Sequence, residues 1–175
     1  MAKLREIKGN RATEFSKDLH AALRGHKKRL RKKFGGIEWH KNWAVQRGET
    51  VDVVGVEGGV PILMIEAELL REDPASNVIK IWKWAHGTKL KRPVLFIQSF
   101  TKAYRGRKKE RFKRALFVAA RMQKEFPNII YKPVRLAYDP RPGGKRGAGR
   151  RTHHARNLAF TVIRHWNALQ KKLRM

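Results

Sequence analysis

The sequence of 175 residues contains no cysteine. A disulfide framework, a thiolate metal site and a cysteine nucleophile are therefore excluded. No apolar run approaches the roughly 20 residues that a helix needs to cross a bilayer. The first residues also lack the apolar core of a secretory signal. These absences together lead us to expect a soluble, cytoplasmic protein.

Acidic residues are scarce: 14 Asp and Glu stand against 42 Lys and Arg, which gives a formal net charge of +28. Such an excess repels itself unless a polyanion neutralises it, and nucleic acid is the most common polyanion in the cytosol. The hydrophobic fraction of 41% is typical of a globular domain. The composition therefore predicts a folded protein that binds nucleic acid, and a charge kept only for solubility is the alternative.

The few acidic residues are concentrated in the middle of the chain. Residues 49–84 carry seven of the 14 carboxylates and only three basic side chains. A protein that only gripped phosphates would gain nothing from this, because each carboxylate repels the ligand. Something positive therefore belongs beside these carboxylates, either Lys and Arg of the protein itself or a metal ion.

Hydrophobic periodicity predicts an α/β domain built on a mixed central sheet flanked by helices. The first helix is predicted over residues 13–34, with Thr13 as its N-cap. A second helix is predicted to begin with Asp73 as N-cap and Pro74 as first helical residue, and to stop near Gly87. A third is predicted over residues 107–126. The predicted strands are residues 43–46, 50–56, 61–70, 93–101 and 129–137.

The character of the sequence changes after Tyr138. The stretch DPRPGGKRGAGRR is rich in Pro, Gly and Arg and predicts a loop that is mobile until something binds it. An amphipathic helix is predicted to follow this loop. We therefore divide the chain into an α/β core over residues 1–138 and a basic loop and helix over residues 139–175, which is either part of the same domain or an appendage.

A predicted hairpin brings carboxylates together. Side chains alternate along a strand, so Glu66 and Glu68 share one face. If residues 58–60 form the loop, Asp52 lies opposite Glu66 and all three acids share that face, whereas a two-residue turn would move Asp52 to the other face. Like charges placed opposite each other need compensation, and oxygen ligands suit Mg²⁺ or Mn²⁺. The alternative is a solvated edge strand whose acids pair with nearby Lys.

These residues resemble the PD-(D/E)XK phosphodiesterase superfamily, which includes restriction endonucleases, resolvases and repair nucleases. The resemblance consists of Asp52, a glycine hairpin, and Glu66-Ala67-Glu68 at the end of an apolar strand. The order of elements from Thr13 to Ala137 is also similar to the helix, three strands, helix, strand core of that superfamily. The resemblance implies a Mg²⁺-dependent nuclease, with Mn²⁺ as a substitute, that cleaves DNA in preference to RNA by endonucleolytic hydrolysis. It also allows a homodimer.

The same resemblance implies roles for individual residues. Asp52 and Glu66 would be the metal ligands. Glu68 stands where the usual motif has Lys, as in some restriction endonucleases, and would assist as a ligand or as a base. Val51 stands where the namesake motif has Pro. Glu14, near the start of the first helix, would complete the metal shell, although a helix-dipole partner is the simpler interpretation.

We expect the second helix to supply a lysine, since Asn77, Lys80 and Trp84 share its side opposite the apolar stripe. Lys80 is predicted to orient the attacking water or to stabilise the pentavalent phosphate. The alternative is a solvated helix face. Gln98, near the end of the fourth strand, is a further candidate.

Basic side chains in three segments are candidate phosphate contacts. These are Lys28, Arg31 and Lys32 in the first helix, Arg105, Arg107, Lys108 and Lys109 around the start of the third, and Arg146, Arg150 and Arg151 in the basic loop. The rival hypothesis is a non-catalytic nucleic-acid-binding protein, RNA-associated or architectural, which uses the acidic strand for internal ion pairs.

Overall fold

The computed structural model describes residues 2–25, 36–46, 48–88, 92–105, 108–141 and 144–173. Within these ranges, the side chains of residues 2–12, 46, 144–146 and 173 are not described. The described residues form a five-stranded mixed sheet flanked by helices, which confirms the predicted α/β class. None of the described helices is long and apolar enough to cross a membrane.

The elements follow one another in the predicted order. They are α1 (Ala2–Gly25), β1 (Glu38–Gln46), β2 (Glu49–Glu57), β3 (Val60–Glu68), α2 (Ala75–His86), β4 (Val94–Phe100), α3 (Lys109–Glu125), β5 (Ile129–Arg135) and α4 (Gly144–Leu173), with a short 3₁₀ helix at Lys102–Tyr104. The first strand begins earlier than predicted, because EWH extends it in front of residues 43–46.

The five strands lie in the order β1-β2-β3-β4-β5. Strands β1, β2 and β3 pair antiparallel, whereas β3, β4 and β5 pair parallel. Parallel neighbours need a crossover connection, and α2 and α3 supply the two crossovers. The carboxyl ends of β3, β4 and β5 therefore lie side by side, and we call this end of the strands the carboxyl edge of the sheet.

Each face of the sheet is covered by one pair of helices. The described residues of α1 and α4 share a hydrophobic cluster with one face, and α2 and α3 share a second cluster with the other. Alternation along the strands explains this division, since Ile65 and Ile97 belong to the first cluster while Met64 and Phe96 belong to the second. Glu66 and Glu68 follow the alternation of Met64 and so lie on the face covered by α2 and α3.

The β2–β3 hairpin has a two-residue turn rather than the three-residue loop. Glu57 pairs with Val60, and Gly58 and Gly59 have φ values of 58° and 76°, as tight hairpin turns require. The pairing then shifts by one residue between Gly55 and Val56. This β-bulge inserts one extra residue into β3. As a result, the residues from Gly55 to Val53 have the same partners in β3 that they would have after a three-residue loop. Continued by one residue, that register places Asp52 opposite Glu66.

Three expectations about helix boundaries are wrong. Thr13 does not cap α1, since the helix continues back to Ala2 through residues that favour helix. The position before α2 is Pro74, without a side-chain cap, rather than Asp73. The stretch predicted as a mobile loop is helical from Gly144 onwards, because packing of the apolar stripe outweighs the low helix propensity of its glycines. Residues 26–34 of the predicted first helix lie outside the described residues.

Candidate active site

Three acids lie together near the carboxyl end of β3. The side chains of Glu66 and Glu68 are buried, with 3% and 1% exposure, because β3 is an interior strand of the sheet. The carboxylate of Asp52 on β2 is held by the backbone N–H of Ala67, which donates to Oδ2 over 2.8 Å. Since β3 has a partner on each side, the solvated edge-strand interpretation of Glu66 and Glu68 is wrong.

One buried lysine reaches into this cluster from α2. The Nζ atom of Lys80 donates to Glu66 Oε1 over 2.5 Å, to Asn77 Oδ1 over 3.1 Å and to the carbonyl of Thr50. The Lys80 residue is 7% exposed, so the helix face that carries it is not solvated. Lys80 therefore connects α2 to both strands that carry the acids.

Two amides hold Glu68. Asn77 Nδ2 and Gln98 Nε2 each donate to Glu68 Oε1 over 2.6 Å. Gln98 lies on β4 in parallel register beside Glu66, and the Tyr131 hydroxyl donates to its carbonyl. Sequence reasoning placed Asn77 beside Lys80 but missed Tyr131, for which helix and strand periodicity gives no signal.

Arg71 lies at the mouth of the cluster and was also missed. It is exposed, lies three residues after the end of β3, and donates through Nη1 to Asn77 Oδ1 over 3.0 Å. Burial raises the pKa values of Asp52 and Glu68, and the positive charge of Arg71 is among the smaller effects that oppose this rise. A lone Arg in the polar stretch after an apolar strand is too common a pattern to single out from sequence.

Burial makes the three carboxyls difficult to ionise together. It raises the pKa of Asp52, although the Ala67 N–H opposes the shift. It raises the pKa of Glu66 well above the usual value, and the negative charge of Asp52 adds to the effect while Lys80 opposes it. It also raises the pKa of Glu68 to about 7, against the hydrogen bonds from Gln98 and Asn77. If all three carboxyls were ionised, the cluster would carry more negative charge than Lys80 and Arg71 balance.

The donor chemistry fits a divalent cation at Asp52 and Glu66. Lys80 donates to Oε1 of Glu66 and the Ala67 N–H donates to Oδ2 of Asp52, so each of these two carboxylates has one oxygen that accepts no hydrogen bond from the described residues. Hard oxygen ligands are those that Mg²⁺ and Mn²⁺ prefer. No group of three or more acids or histidines in the described ranges is arranged as a ready metal shell. In this arrangement Lys80 contacts Glu66 Oε1, and the amides of Asn77 and Gln98 both contact Glu68 Oε1.

Comparison of the chain with protein-family models, with curated protein sequences and with solved structures found no match. What the protein does must therefore be inferred from its own residues. The residues that carry this inference are the buried acids, Lys80 and the basic side chains near them.

Glu14 lies on α1, whose apolar stripe packs on the other face of the sheet. Its carboxylate pairs with Lys17 over 2.8 Å and with Arg151 over 3.7 Å. The Lys17 hydrogen bond lowers the pKa of Glu14, and the exposed pair keeps this carboxylate ionised. A role of Glu14 in a metal shell stays a prediction.

The predicted phosphate contacts divide into three groups. Lys28, Arg31, Lys32 and Arg107 lie outside the described residues, as does the side chain of Arg146. Arg105, Lys109 and Arg150 are exposed. The remaining two are engaged within the protein. Lys108 donates to the carbonyl of Leu70 over 3.2 Å, and Arg151 donates to Asp18 over 2.7 Å.

Proposed function

We propose that the protein is a metal-dependent nuclease that hydrolyses phosphodiester bonds in DNA, endonucleolytically, on a restriction-endonuclease-like core. The single observation that supports this most is the cluster of Asp52, Glu66 and Glu68 at one sheet edge with Lys80 as its buried cation. Enzymes place groups with perturbed pKa values where chemistry occurs. A net charge of +28 favours a polyanionic substrate.

Each residue of the cluster has a role in this proposal. Asp52 and Glu66 would hold Mg²⁺, for which Mn²⁺ would substitute, and the ion would supply Lewis-acid chemistry at the phosphate when bound. Glu68 accepts the proton of the attacking water, since a carboxylate with a pKa of about 7 is matched to proton transfer near neutral pH. Lys80 orients Glu66 and supplies positive charge beside the phosphate.

The exposed basic residues of the same region support binding of a nucleic acid. Arg105 follows the 3₁₀ helix after β4, and Lys109 is the first residue of α3, so both lie on connections at the carboxyl edge of the sheet. Arg71 is exposed at the end of β3. These cations would contact the phosphates that flank the scissile bond. A homodimer and a cytoplasmic location remain part of the proposal.

A plasmid-nicking assay tests the proposal. Supercoiled DNA is incubated with the protein and with Mg²⁺, Mn²⁺ or a chelator. We expect nicking with either metal, none with the chelator, and none by the Asp52→Asn variant at equal DNA binding. The matched control is Asp139→Asn, because the Asp139 carboxylate is engaged by Arg141 in front of α4. Nicking by Asp52→Asn at the wild-type rate would refute the assignment.

One observation favours the second candidate, a non-catalytic nucleic-acid-binding protein. Lys80 already contacts Glu66 over 2.5 Å, as an internal ion pair would require. This hypothesis predicts tight, salt-dependent DNA or RNA binding without cleavage by any divalent metal. The same assay, repeated with single-stranded, branched and RNA substrates, distinguishes the two.

A further inference from the structure

Gln98 is a fully buried amide in the apolar strand β4, with 0% exposure. A buried amide is costly unless its polar atoms form hydrogen bonds. The two N–H groups of Gln98 donate to Glu68 Oε1 over 2.6 Å and to the carbonyl of Pro74 over 2.7 Å. Its carbonyl accepts the hydroxyl of Tyr131 over 2.8 Å. Gln98 therefore links three elements, since β3 carries Glu68, β5 carries Tyr131 and Pro74 precedes α2.

The partners of Gln98 permit one orientation of its amide. The Glu68 carboxylate and the Pro74 carbonyl both accept hydrogen bonds, so only the NH₂ group of Gln98 can satisfy them. The carbonyl of Gln98 must then face Tyr131, which donates from its hydroxyl. Burial raises the pKa of Tyr131, and the negative charge of Glu68 adds to this effect, so the phenol stays protonated and continues to donate.

The oriented amide in turn orients a carboxylate. Gln98 and Asn77 donate to the same oxygen of Glu68, Oε1, from β4 and from α2. Two donors on one oxygen fix the plane of the carboxylate. Among the described residues, no hydrogen bond reaches the other oxygen, Oε2, which is therefore the oxygen able to accept a further donor. Glu68 thus presents one defined oxygen to whatever enters the site.

We propose that Tyr131 and Gln98 are positioning residues, which hold the Glu68 carboxylate so that Oε2 faces the attacking water. The expected effect of these two residues on DNA cleavage rests on the proposed nuclease function. Removal of a residue that orients a reacting group through hydrogen bonds, without touching the substrate, lowers activity by about 10- to 100-fold. Neither side chain touches the substrate in this proposal.

Tyr131→Phe is the sharpest test, because it removes one hydroxyl and keeps the ring that packs against Phe96 at 5.5 Å. We expect its cleavage rate at saturating DNA to fall about 10- to 100-fold, with an unchanged dissociation constant for DNA. Tyr138→Phe is the control, since the Tyr138 ring stacks on Phe15 at the opposite face of the sheet. Gln98→Met is expected to show the larger loss of rate, because it removes all three hydrogen bonds.

A spectroscopic readout separates this inference from the proposed function. In ¹H–¹⁵N spectra, the side-chain amide protons of Gln98 should exchange slowly with solvent and should shift in Tyr131→Phe but not in Tyr138→Phe. If that shift occurs but the wild-type protein cleaves nothing, positioning of Glu68 holds and the nuclease proposal fails. If Tyr131→Phe leaves both the Gln98 amide signals and the cleavage rate unchanged, Tyr131 is not a positioning residue.

Discussion

Replacement of Glu68 by Gln is expected to stabilise the metal-free protein near neutral and alkaline pH. The folded-state pKa of Glu68 is raised from 4.5 to about 7, so the folded protein binds this proton more tightly than the unfolded chain. Stability from this group is complete below pH 4.5 and is lost as pH rises through about 7. At 1.36 kcal/mol per pKa unit, the ionised carboxylate costs about 3 kcal/mol above that pH.

The neutral Gln side chain avoids this cost. Its Oε1 still accepts from Asn77 and Gln98, and its NH₂ group takes the place of Oε2, which accepts no hydrogen bond from the described residues. We therefore expect Glu68→Gln to raise the free energy of unfolding by up to about 3 kcal/mol at about pH 8, and to leave it unchanged near pH 4.5. Cleavage should be lost, because the amide cannot accept the proton of the attacking water.

Urea unfolding followed by circular dichroism, with a chelator present, measures this difference at both pH values. The control is Glu38→Gln, whose side chain is 74% exposed and whose effect should stay within about 0.5 kcal/mol. A Glu68→Gln variant that is less stable than wild type at about pH 8, or equally stabilised at both pH values, would refute the reasoning.

Three further predictions concern the cations. Lys80→Met should lower the free energy of unfolding by about 3 kcal/mol at about pH 8, because it leaves Glu66 buried and unpaired, and it should abolish nicking. Arg151→Ala should lower the same free energy by about 1 kcal/mol in urea, since its ion pair with Asp18 is partly exposed, without changing nicking. Arg105→Gln and Lys109→Gln should each weaken DNA binding in fluorescence anisotropy and reduce the slope of log K against log salt by about 1.

For each of these three predictions, a specific result would contradict it. An active Lys80→Met enzyme would remove the lysine from the chemistry. A loss of nicking in Arg151→Ala, at full stability, would mean that this residue acts on DNA rather than between α1 and α4. Salt slopes equal to the wild-type slope in both Arg105→Gln and Lys109→Gln would show that the DNA backbone does not contact this edge of the sheet.

Periodicity was sufficient to predict the order of strands and helices. The apolar runs of β2, β3 and β4 reflect burial in the sheet, and those patterns are local. Helix ends were less predictable, since Thr13 has the residue type of a cap yet lies inside α1. In the same way, the glycines near residue 144 weaken α4 locally, but its apolar stripe packs on α1 and the sheet.

The candidate site depends on details that no local pattern contains. Asp52 reaches the face of Glu66 only because a bulge offsets the two-residue turn, and an extra apolar residue in β3 is invisible in an apolar run. Lys80 could be placed on a helix side by its spacing, but its contact with Glu66 follows from how α2 crosses the sheet. Gln98 was detectable as a polar residue in an apolar strand, whereas Tyr131 joins it through the parallel pairing of β4 and β5.

The most direct measurement of the central claim is an anomalous difference map from crystals soaked in Mn²⁺. One manganese peak is expected between the carboxylates of Asp52 and Glu66, and no peak is expected in Asp52→Asn crystals. A map without an anomalous peak beside Glu66, in which Lys80 Nζ contacts Glu66 Oε1, would show that the cluster is an internal ion pair and not a metal site.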